Sequence, residues 1–165
     1  MSEGIRKKSR LACKVITVSD TRTKATDRSG ALICELLEHD GHEITAYEIV
    51  RDEEQPIRDA ALAGCDDAEV DAVLLTGGTG IAPRDVTVEV IEALLDKKMP
   101  GFGELFRMLS YTEDIGSAAM LSRATAGGRN GTAVFSMPGS SGAVRLAMNR
   151  LILPELRHVA AELHK

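Results

Sequence analysis

The alternation of two hydrophobic patterns along the chain is the sequence feature that most constrains its fold. Short apolar or alternating runs, which are typical of strands, take turns with segments whose apolar residues recur at helical spacing. The runs predict strands over residues 11–18, 43–50, 70–76 and 132–137. Because strands and helices alternate almost throughout, we expect an α/β fold with helices on both faces of one sheet.

The segments between these strands predict the helices. Ile33, Leu36 and Leu37 have helical spacing, and Gly41 is expected to end their helix. We expect a short helix over 55–63 and a loop with one or two short helices over 99–117. Further apolar stripes predict helices at 86–95, at 144–152, and at 154–163 with Pro154 in its first turn.

The chain length favours a single domain. A chain of 165 residues is close to the size of one ordinary domain, and it contains no visible repeat, linker or low-complexity tract. We therefore expect one domain over residues 11–165. Residues 1–10 are polar and charged, which predicts a flexible arm.

Composition argues against several classes of partner. Twenty Lys and Arg against 25 Asp and Glu give a net charge of −5, so a nucleic-acid-coating surface is not expected. Aromatic residues make up only 3%, which disfavours a base-stacking platform. No apolar run of about 18 residues predicts a membrane-spanning helix. Cys13, Cys34 and Cys65 are widely spaced, which favours buried free thiols and a cytoplasmic location.

The expected ligand site lies beyond the carboxyl ends of the strands, where open α/β sheets bind their ligands. Polar or glycine-rich residues follow all four predicted strands, at 19–22, 50–52, 76–80 and 137–142. Two of these segments are glycine turns, which allow a phosphate to approach backbone N–H groups. The glycine spacing is neither that of a dinucleotide fingerprint nor that of a P-loop. A tight connection and a phosphate site therefore both remain open, and the second glycine turn favours the phosphate site.

Asp52 and Asp85 are the candidate catalytic and metal-binding carboxylates. Each also has a simpler interpretation, Asp52 as a turn residue and Asp85 as a helix cap or first-turn carboxylate. Beside a phosphate site, however, two carboxylates would repel an anionic ligand unless a cation lay between them. If both face the cleft, they imply a Mg²⁺ ion that bridges protein and phosphate.

A longer motif resembles a known family. Residues 76–87 (TGGTGIAPRDVT) resemble the signature of the molybdenum-cofactor biosynthesis proteins MoaB and MogA, which the gephyrin G domain shares. The similarity extends over roughly residues 11–158, and residues 115–116, 122–124 and 138–140 are more similar to the MoaB branch. The other matching segments are 17–22, 27–30, 41–42, Asp52 and 100–107.

The resemblance implies a fold, an assembly and a reaction. The implied fold is a three-layer α/β/α domain with a mostly parallel sheet, and the implied assembly is a homo-oligomer, either a trimer or a hexamer made of two trimers. The implied reaction joins molybdopterin and MgATP to give adenylylated molybdopterin and pyrophosphate. Catalysis of such a transfer between two anions is chiefly positioning and charge neutralisation.

The resemblance also implies roles for individual residues. Asp52 and Asp85 would hold Mg²⁺, directly or through water. The loop of Gly77, Gly78, Thr79 and Gly80 would cradle the nucleotide phosphates. The residues that would line the nucleotide and pterin pockets are Ser19, Asp20, Arg22, Ser110, Pro138, Gly139 and Ser140.

Two other functions remain open for a chain of this kind. An oligomeric scaffold could hold molybdopterin without adenylylating it, although Asp52 and Asp85 count against that role. A nucleotide hydrolase similar to the competence-damage-inducible relatives of this fold is the second alternative. Those relatives are longer, multi-domain chains, and 165 residues leave no room for an additional domain.

Overall fold

Six strands form a single sheet within residues 8–165, the part of the chain that the computed structural model describes. The strands are β1 (Ala12–Val18), β2 (Glu43–Val50), β3 (Ala72–Thr76), β4 (Lys97–Lys98), β5 (Thr125–Arg129) and β6 (Thr132–Met137). Their order across the sheet is β2-β1-β3-β6-β5-β4. The first four strands in that order are parallel, while β5 and β4 are antiparallel to their neighbours.

The four predicted strands are confirmed, and two strands were missed. β4 has only two residues, both lysines, and β5 has glycines at 127 and 128 in place of β-branched residues. An ideal Cβ on Gly127 would lie 2.3 Å from the carbonyl oxygen of Lys97, so a side chain there would push β4 away. The pairing of β4 with β5 therefore requires glycine, and a strand with glycine in place of apolar residues lacks the hydrophobic pattern from which a strand is predicted.

Helices cover both faces of the sheet, which confirms the three-layer α/β/α architecture. The α-helices are α1 (Arg28–His39), α2 (Glu54–Asp66), α3 (Thr87–Leu94), α4 (Pro100–Glu113), α5 (Ser141–Ala147) and α6 (Leu153–Glu162). One core cluster packs α1, α4, α5 and α6 on one face of the sheet, and a second cluster packs α2 and α3 on the other. Alternate residues of β3 supply the two clusters, Leu74 the first and Leu75 the second.

The expectation of a loop with short helices over residues 99–117 is wrong for most of that range. Pro100–Glu113 is one helix, followed by a 3₁₀ helix over Gly116–Leu121. Phe102, Phe106 and Ser110 recur every four residues along α4, and all three are buried. Gly103 obscures the helical pattern, but an ideal Cβ there would lie 2.5 Å from the carbonyl oxygen of Ala124. This glycine allows α4 to approach the chain at the start of β5.

The C-terminal helices form one nearly continuous rod. A π-helical turn over Met148–Ile152 joins α5 to α6, and Pro154 lies in the first turn of α6, as predicted. Proline lacks an N–H donor and so fits poorly inside a regular α-helix, which accounts for the wider turn before it. Val144 and Leu156, from the two predicted apolar stripes, are fully buried and belong to the core.

The cysteines are free thiols and serve as core residues. Cys13 and Cys65 are buried, and Cys34 is partly buried. Burial raises the pKa of Cys13 to about 12 and that of Cys65 to about 11, so both thiols are protonated at neutral pH. Among residues 8–165, no helix has the length and apolar character needed to cross a membrane.

The N-terminal end of the described chain makes specific contacts. Lys8 Nζ pairs with Asp71 Oδ1 at 2.9 Å, and the carbonyl of Ser9 accepts a hydrogen bond from Arg157 Nε at 2.8 Å. The arm predicted over residues 1–10 lies for the most part, over residues 1–7, outside the described residues.

A buried carboxylate joins three elements next to the strand ends. Asp27 caps the N-terminus of α1 by accepting the N–H of Gly30 at 3.0 Å. Its second oxygen accepts hydrogen bonds from the hydroxyls of Thr17 on β1, at 2.6 Å, and Tyr47 on β2. Burial alone would raise the pKa of Asp27, but the hydrogen bonds from Thr17, Tyr47 and Gly30 lower it below its usual value. The side chain is therefore charged and structural at neutral pH.

Replacing Asp27 with alanine is expected to destabilise the fold by about 3 kcal/mol, because it removes a helix cap and takes the acceptor from the buried Thr17 hydroxyl and the partly buried Tyr47 hydroxyl. Chemical denaturation followed by circular dichroism measures the change. Because the folded-state pKa is lowered, the contribution of Asp27 is present above the pKa of the unfolded state and disappears as the pH falls through the folded-state value. Glu35→Ala, on the exposed side of α1, is the control and should have little effect. Equal stabilities of the two variants would contradict this role.

Candidate functional site

A cleft of about 540 Å³ lies at the edge where the four parallel strands end. The strand register brings these ends together, since Val18 pairs with Val50, Thr17 with Thr76, and Thr76 with Met137. The residues that line the cleft are Val18, Ser19, Asp20, Thr21, Arg22, Asp52, Gly77, Gly78, Thr79, Gly80, Arg84, Asp85, Leu121, Ser122, Pro138 and Gly139. The structure thus brings together eleven of the thirteen residues predicted for the site, all except Ser110 and Ser140.

The first glycine turn is both a tight connection and a set of available donors. Gly77 and Gly78 have φ values of +104° and +69°, which side chains rarely adopt. An ideal Cβ on Gly77 would lie 2.4 Å from the carbonyl oxygen of Val18, so the turn packs directly on the end of β1. Within residues 8–165, the N–H groups of Gly78, Thr79 and Gly80 donate to no protein acceptor. Three neighbouring unpaired amides are suited to bind an anion.

The second glycine turn packs against the first. An ideal Cβ on Gly139 would lie 3.4 Å from the Cα of Gly77, which is van der Waals contact. The carbonyl of Gly139 accepts hydrogen bonds from Ser29 Oγ at 2.6 Å and Arg22 Nη2 at 3.3 Å. Arg22 also contacts the buried Asp27, at 3.5 Å. Asp27 thus helps to hold Arg22 at the cleft, and Arg22 in turn contacts the second glycine turn.

Ser110 and Ser140 do not line the cleft, so the structure does not support the pocket-lining roles predicted for them. Ser110 lies on the buried face of α4, in a segment predicted to be a loop with one or two short helices. Ser140 caps α5, and its Oγ accepts the N–H of Ala143 at 3.2 Å. Ser19 does line the cleft, but its Oγ accepts the N–H groups of Thr21 and Arg22, and so shapes the turn.

Asp52 is a largely buried carboxylate with an unsatisfied oxygen. Its side chain is 12% exposed, and Oδ1 has no hydrogen-bond partner among residues 8–165. The other oxygen lies 3.9 Å from Arg84 Nε, and Arg84 also pairs with Asp20. Burial raises the pKa of Asp52, the charge of Asp85 raises it further, and Arg84 partly offsets both effects. The cleft therefore holds Asp52 in an environment that disfavours its charge.

Asp85 shapes the loop beside the glycines and does not cap a helix. Its Oδ2 accepts the N–H of Ala82 at 3.1 Å, and α3 begins two residues later with Val86 as its N-cap. An ideal Cβ on Gly80 would lie 2.8 Å from the same carboxylate oxygen. Asp85 thus lies directly against the glycine turn, as the functional interpretation requires.

The donor groups of the cleft fit Mg²⁺. Asp52 and Asp85 offer hard carboxylate oxygens, and the unpaired Oδ1 of Asp52 is an acceptor without a donor. Among residues 8–165, no group of three His, Cys, Asp or Glu side chains is placed to hold a metal ion alone. Mg²⁺ needs no such cage, because it commonly binds through one or two carboxylates together with substrate phosphates and water.

The sequence analysis assigned no role to one neighbouring hydroxyl and to five lining residues, Val18, Thr21, Arg84, Leu121 and Ser122. Arg84 was inside the recognised motif but received no role, whereas Leu121 and Ser122 are distant in sequence and Thr21 resembles any turn residue. Thr87 Oγ1 is buried, has no hydrogen-bond partner in the described part of the chain, and would lie 2.2 Å from an ideal Cβ on Gly78. Only the charge of Arg84 inside the motif was a signal that could have been used.

Asp52→Asn is expected to stabilise the fold at neutral pH, because it removes a charge that the cleft disfavours. The pKa of Asp52 is higher in the folded state than in the unfolded state, so folding favours the neutral carboxyl. This contribution to the free energy of unfolding is fully present below the unfolded-state pKa and is lost as the pH rises through the folded-state pKa. The advantage of the variant should therefore shrink as the pH is lowered towards 4. Thermal unfolding at several pH values measures it, with exposed Asp66→Asn as control. A destabilised Asp52→Asn protein at pH 7 would contradict this account.

Comparison with known proteins places this geometry among related chains. Residues 14–158 match the family model described as a probable molybdopterin binding domain. The chain is 67% identical over 153 residues to molybdenum cofactor biosynthesis protein B of Bacillus subtilis (strain 168), which covers 93% of this chain and 90% of the relative.

Solved structures show the same similarity in three dimensions. The crystal structure of a molybdenum cofactor biosynthesis protein B matches with a TM-score of 0.92 and 62% identity, over 94% of this chain and 96% of the other. The tungsten cofactor synthesizing protein MoaB from Pyrococcus furiosus matches with a TM-score of 0.86 and 38% identity, over 96% and 99% of the two chains.

Proposed function

This chain belongs to the family of probable molybdopterin-binding domains, and we propose that it acts in molybdenum cofactor biosynthesis by adenylylating molybdopterin with MgATP. The observation that carries the proposal is the meeting, in one cleft, of unpaired backbone amides with two carboxylates. Amides alone would suit any anion, whereas the added carboxylates suit an anion that arrives with a cation.

The proposed reaction transfers AMP between two phosphate compounds. An oxygen of the terminal phosphate of molybdopterin attacks the α-phosphorus of ATP. The bond between the α-phosphorus and the oxygen that bridges it to the β-phosphorus breaks, and pyrophosphate is released. Both reactants are anions, so the protein must mainly align them and reduce their repulsion. The amides of Gly78, Thr79 and Gly80 are placed to bind nucleotide phosphates, and Arg22 and Arg84 add positive charge at the cleft.

The charge balance of the cleft supports a divalent cation. The carboxylates of Asp20, Asp52 and Asp85 face the two arginines, Arg22 and Arg84, so the cleft is net negative before a polyanion enters. Asp52 and Asp85 would hold Mg²⁺, which when bound supplies the charge neutralisation that phosphoryl transfer requires. Arg84, between Asp20 and Asp52, keeps these carboxylates close to the glycine turn.

The direct test is incubation of the pure protein with molybdopterin and MgATP, followed by mass spectrometry for adenylylated molybdopterin and an assay for pyrophosphate. Asp52→Asn and Asp85→Asn should each lower turnover by at least about 10²-fold, because each removes a charge that holds the cation. Asp66→Asn is the matched control, since Asp66 is an exposed residue at the end of α2 that is not part of the cleft.

Two results would contradict the proposal in different ways. If the wild-type protein binds molybdopterin but forms no adenylylated product, the scaffold function replaces the enzymatic one. If product forms and both Asn variants turn over normally at saturating Mg²⁺, the two carboxylates have no part in the mechanism.

The proposed oligomer has a candidate contact surface next to the cleft. Large apolar side chains are exposed along α4 and the 3₁₀ helix, and Met120 is 80% exposed. Contiguous exposed apolar surface of this kind is typical of protein interfaces. Leu121 belongs to this surface and also lines the cleft, so a second copy of the chain seated here would lie beside the site. The residues of this apolar face are Leu105, Met108, Tyr111, Ile115, Met120 and Leu121.

Light scattering tests the assembly. The wild-type protein should have a mass three or six times that of the 17.7 kDa chain, and Met108→Glu should lower it by placing a charge in the apolar face. Ala31→Glu, at an exposed position of α1, is the control and should leave the mass unchanged. A wild-type mass of one chain that does not change with concentration would overturn the oligomer, and a wild-type mass for Met108→Glu would exclude this face.

A further inference from the structure

The guanidinium of Arg123 donates to three backbone carbonyls, two in the glycine turn and one at Asp85. Arg123 follows the 3₁₀ helix and precedes β5, far from the turn in sequence. Its Nε donates to the carbonyl of Gly80 at 2.9 Å and to that of Thr79 at 3.3 Å, and its Nη2 donates to the carbonyl of Asp85 at 3.1 Å. One planar guanidinium thus fixes both ends of the loop that begins at the glycines and ends at Asp85.

Glu89 holds Arg123 in this orientation. The Glu89 carboxylate lies in the first turn of α3 and accepts from both terminal nitrogens of the guanidinium, at 3.1 Å from Nη2 and in a close pair with Nη1. The hydrogen bonds between them lower the pKa of Glu89 and raise that of Arg123, so both side chains are charged. Paired contacts of this kind fix the plane of a guanidinium, which the single point charge of a lysine would not achieve.

The carbonyl contacts determine where the loop amides point. In a trans peptide unit the C=O of one residue and the N–H of the next point in opposite directions, and the peptide bonds here are trans. Because the carbonyls of Thr79 and Gly80 point towards Arg123, the N–H groups of Gly80 and Ile81 point away from it. Gly80 is one of the residues whose amide has no protein acceptor within residues 8–165.

Arg123 contacts the loop from outside the cleft. Thr79, Gly80 and Asp85 line the cleft, whereas Arg123 lines a separate cavity of about 200 Å³ that it shares with Glu92 and Arg107. The side chain is 29% exposed, and its contacts within the loop are to backbone oxygens. A group on this side of the loop acts on a ligand in the cleft only through the loop itself.

We propose that Arg123 is a positioning residue for the nucleotide phosphates, and this inference rests on the proposed function. By holding the carbonyl of Thr79, it keeps the Gly80 amide turned away from its own side of the loop, and by holding the carbonyl of Asp85 it keeps Asp85 against the glycines. The cost of arranging this loop is then met during folding and not during binding. The Arg123–Glu89 pair is therefore a part of the phosphate site that does not touch phosphate.

The test compares Arg123 with an arginine that has the same kind of partners elsewhere. Arg157 donates to the carbonyls of Ser9 and Asp40 and to the Asp40 carboxylate, and its side chain is 27% exposed. We expect Arg123→Ala to weaken binding of MgATP and of inorganic tripolyphosphate by about tenfold or more in calorimetry, while Arg157→Ala binds both as the wild type does. Thermal unfolding should show comparable losses of stability for the two variants.

Two further measurements separate positioning from general support of the fold. Arg123→Lys should bind MgATP almost as weakly as Arg123→Ala, because an ammonium group does not reach three carbonyls at once. Guanidinium ion, added to Arg123→Ala well below denaturing concentrations, should restore part of the affinity and should not affect Arg157→Ala. Glu89→Gln should weaken binding by a smaller factor than Arg123→Ala.

Each outcome decides the inference. Wild-type affinity for MgATP in folded Arg123→Ala would overturn it and leave the proposed reaction intact. Weak binding by Arg157→Ala to the same degree would also overturn it, since the effect would then follow from lost stability. If the wild-type protein forms no adenylylated product but its phosphate binding depends on Arg123, the inference stands and the proposed reaction falls. If the wild type binds neither MgATP nor tripolyphosphate, both fall.

Discussion

The parallel pairing of β1 with β2 and β3, and of β3 with β6, is the constraint on which the rest of the structure depends. Parallel strands place all their carboxyl ends at one edge, and the long crossovers between them contain the helices that cover the faces of the sheet. The chain therefore leaves the sheet four times at the same edge. Turn residues that are far apart in sequence, such as Ser19, Asp52 and Gly139, become neighbours there. The cleft is a consequence of the topology before any particular side chain is considered.

Asp27 and Asp52, both near this edge, show how the fold can satisfy one buried carboxylate and leave another with an unsatisfied oxygen. Asp27 is surrounded by donors from Thr17, Tyr47 and Gly30, and these lower its pKa despite burial. Asp52 is also largely buried, but burial and the charges of Asp85 and Asp20 raise its pKa, and Arg84 offsets them in part. Asp27 gains its partners from α1, β1 and β2 and stabilises them. Asp52 is left with an unpaired oxygen, which is the condition expected of a group that completes its contacts only when a ligand and a cation arrive.

Sequence reasoning succeeded where one local pattern decides the structure and failed where distant contacts decide it. The glycines at 77 and 78 could be assigned to a turn because glycine adopts positive φ values without strain. The four apolar strands could be predicted from the pattern of their hydrophobic residues. β5 was missed, and α4 was predicted only as a loop with one or two short helices, because glycines that allow close backbone approach, Gly127 and Gly103, interrupt the usual patterns. Ser110 and Ser140 were placed in the site by resemblance, whereas in the structure one packs in the core and the other caps a helix. Arg123 has no local signal for its contacts, since its partners are more than 30 residues away.

The arrangement of the cleft bears on the choice between an enzyme and a binding scaffold. A scaffold that only holds an anionic pterin would gain affinity from positive charge, and each carboxylate near the phosphate would reduce that affinity. The chain instead places Asp52 where both burial and Asp85 oppose its ionisation. The loop that ends at Asp85 is also held by the guanidinium of Arg123, which itself pairs with Glu89. A charged Asp52 lowers both the stability of the fold and the affinity of the cleft for an anion alone. Its presence is best explained by a ligand that brings a cation with it. A nucleoside triphosphate with Mg²⁺ meets that condition, which is the reason for proposing a transfer to a second phosphate over a role as a binding scaffold.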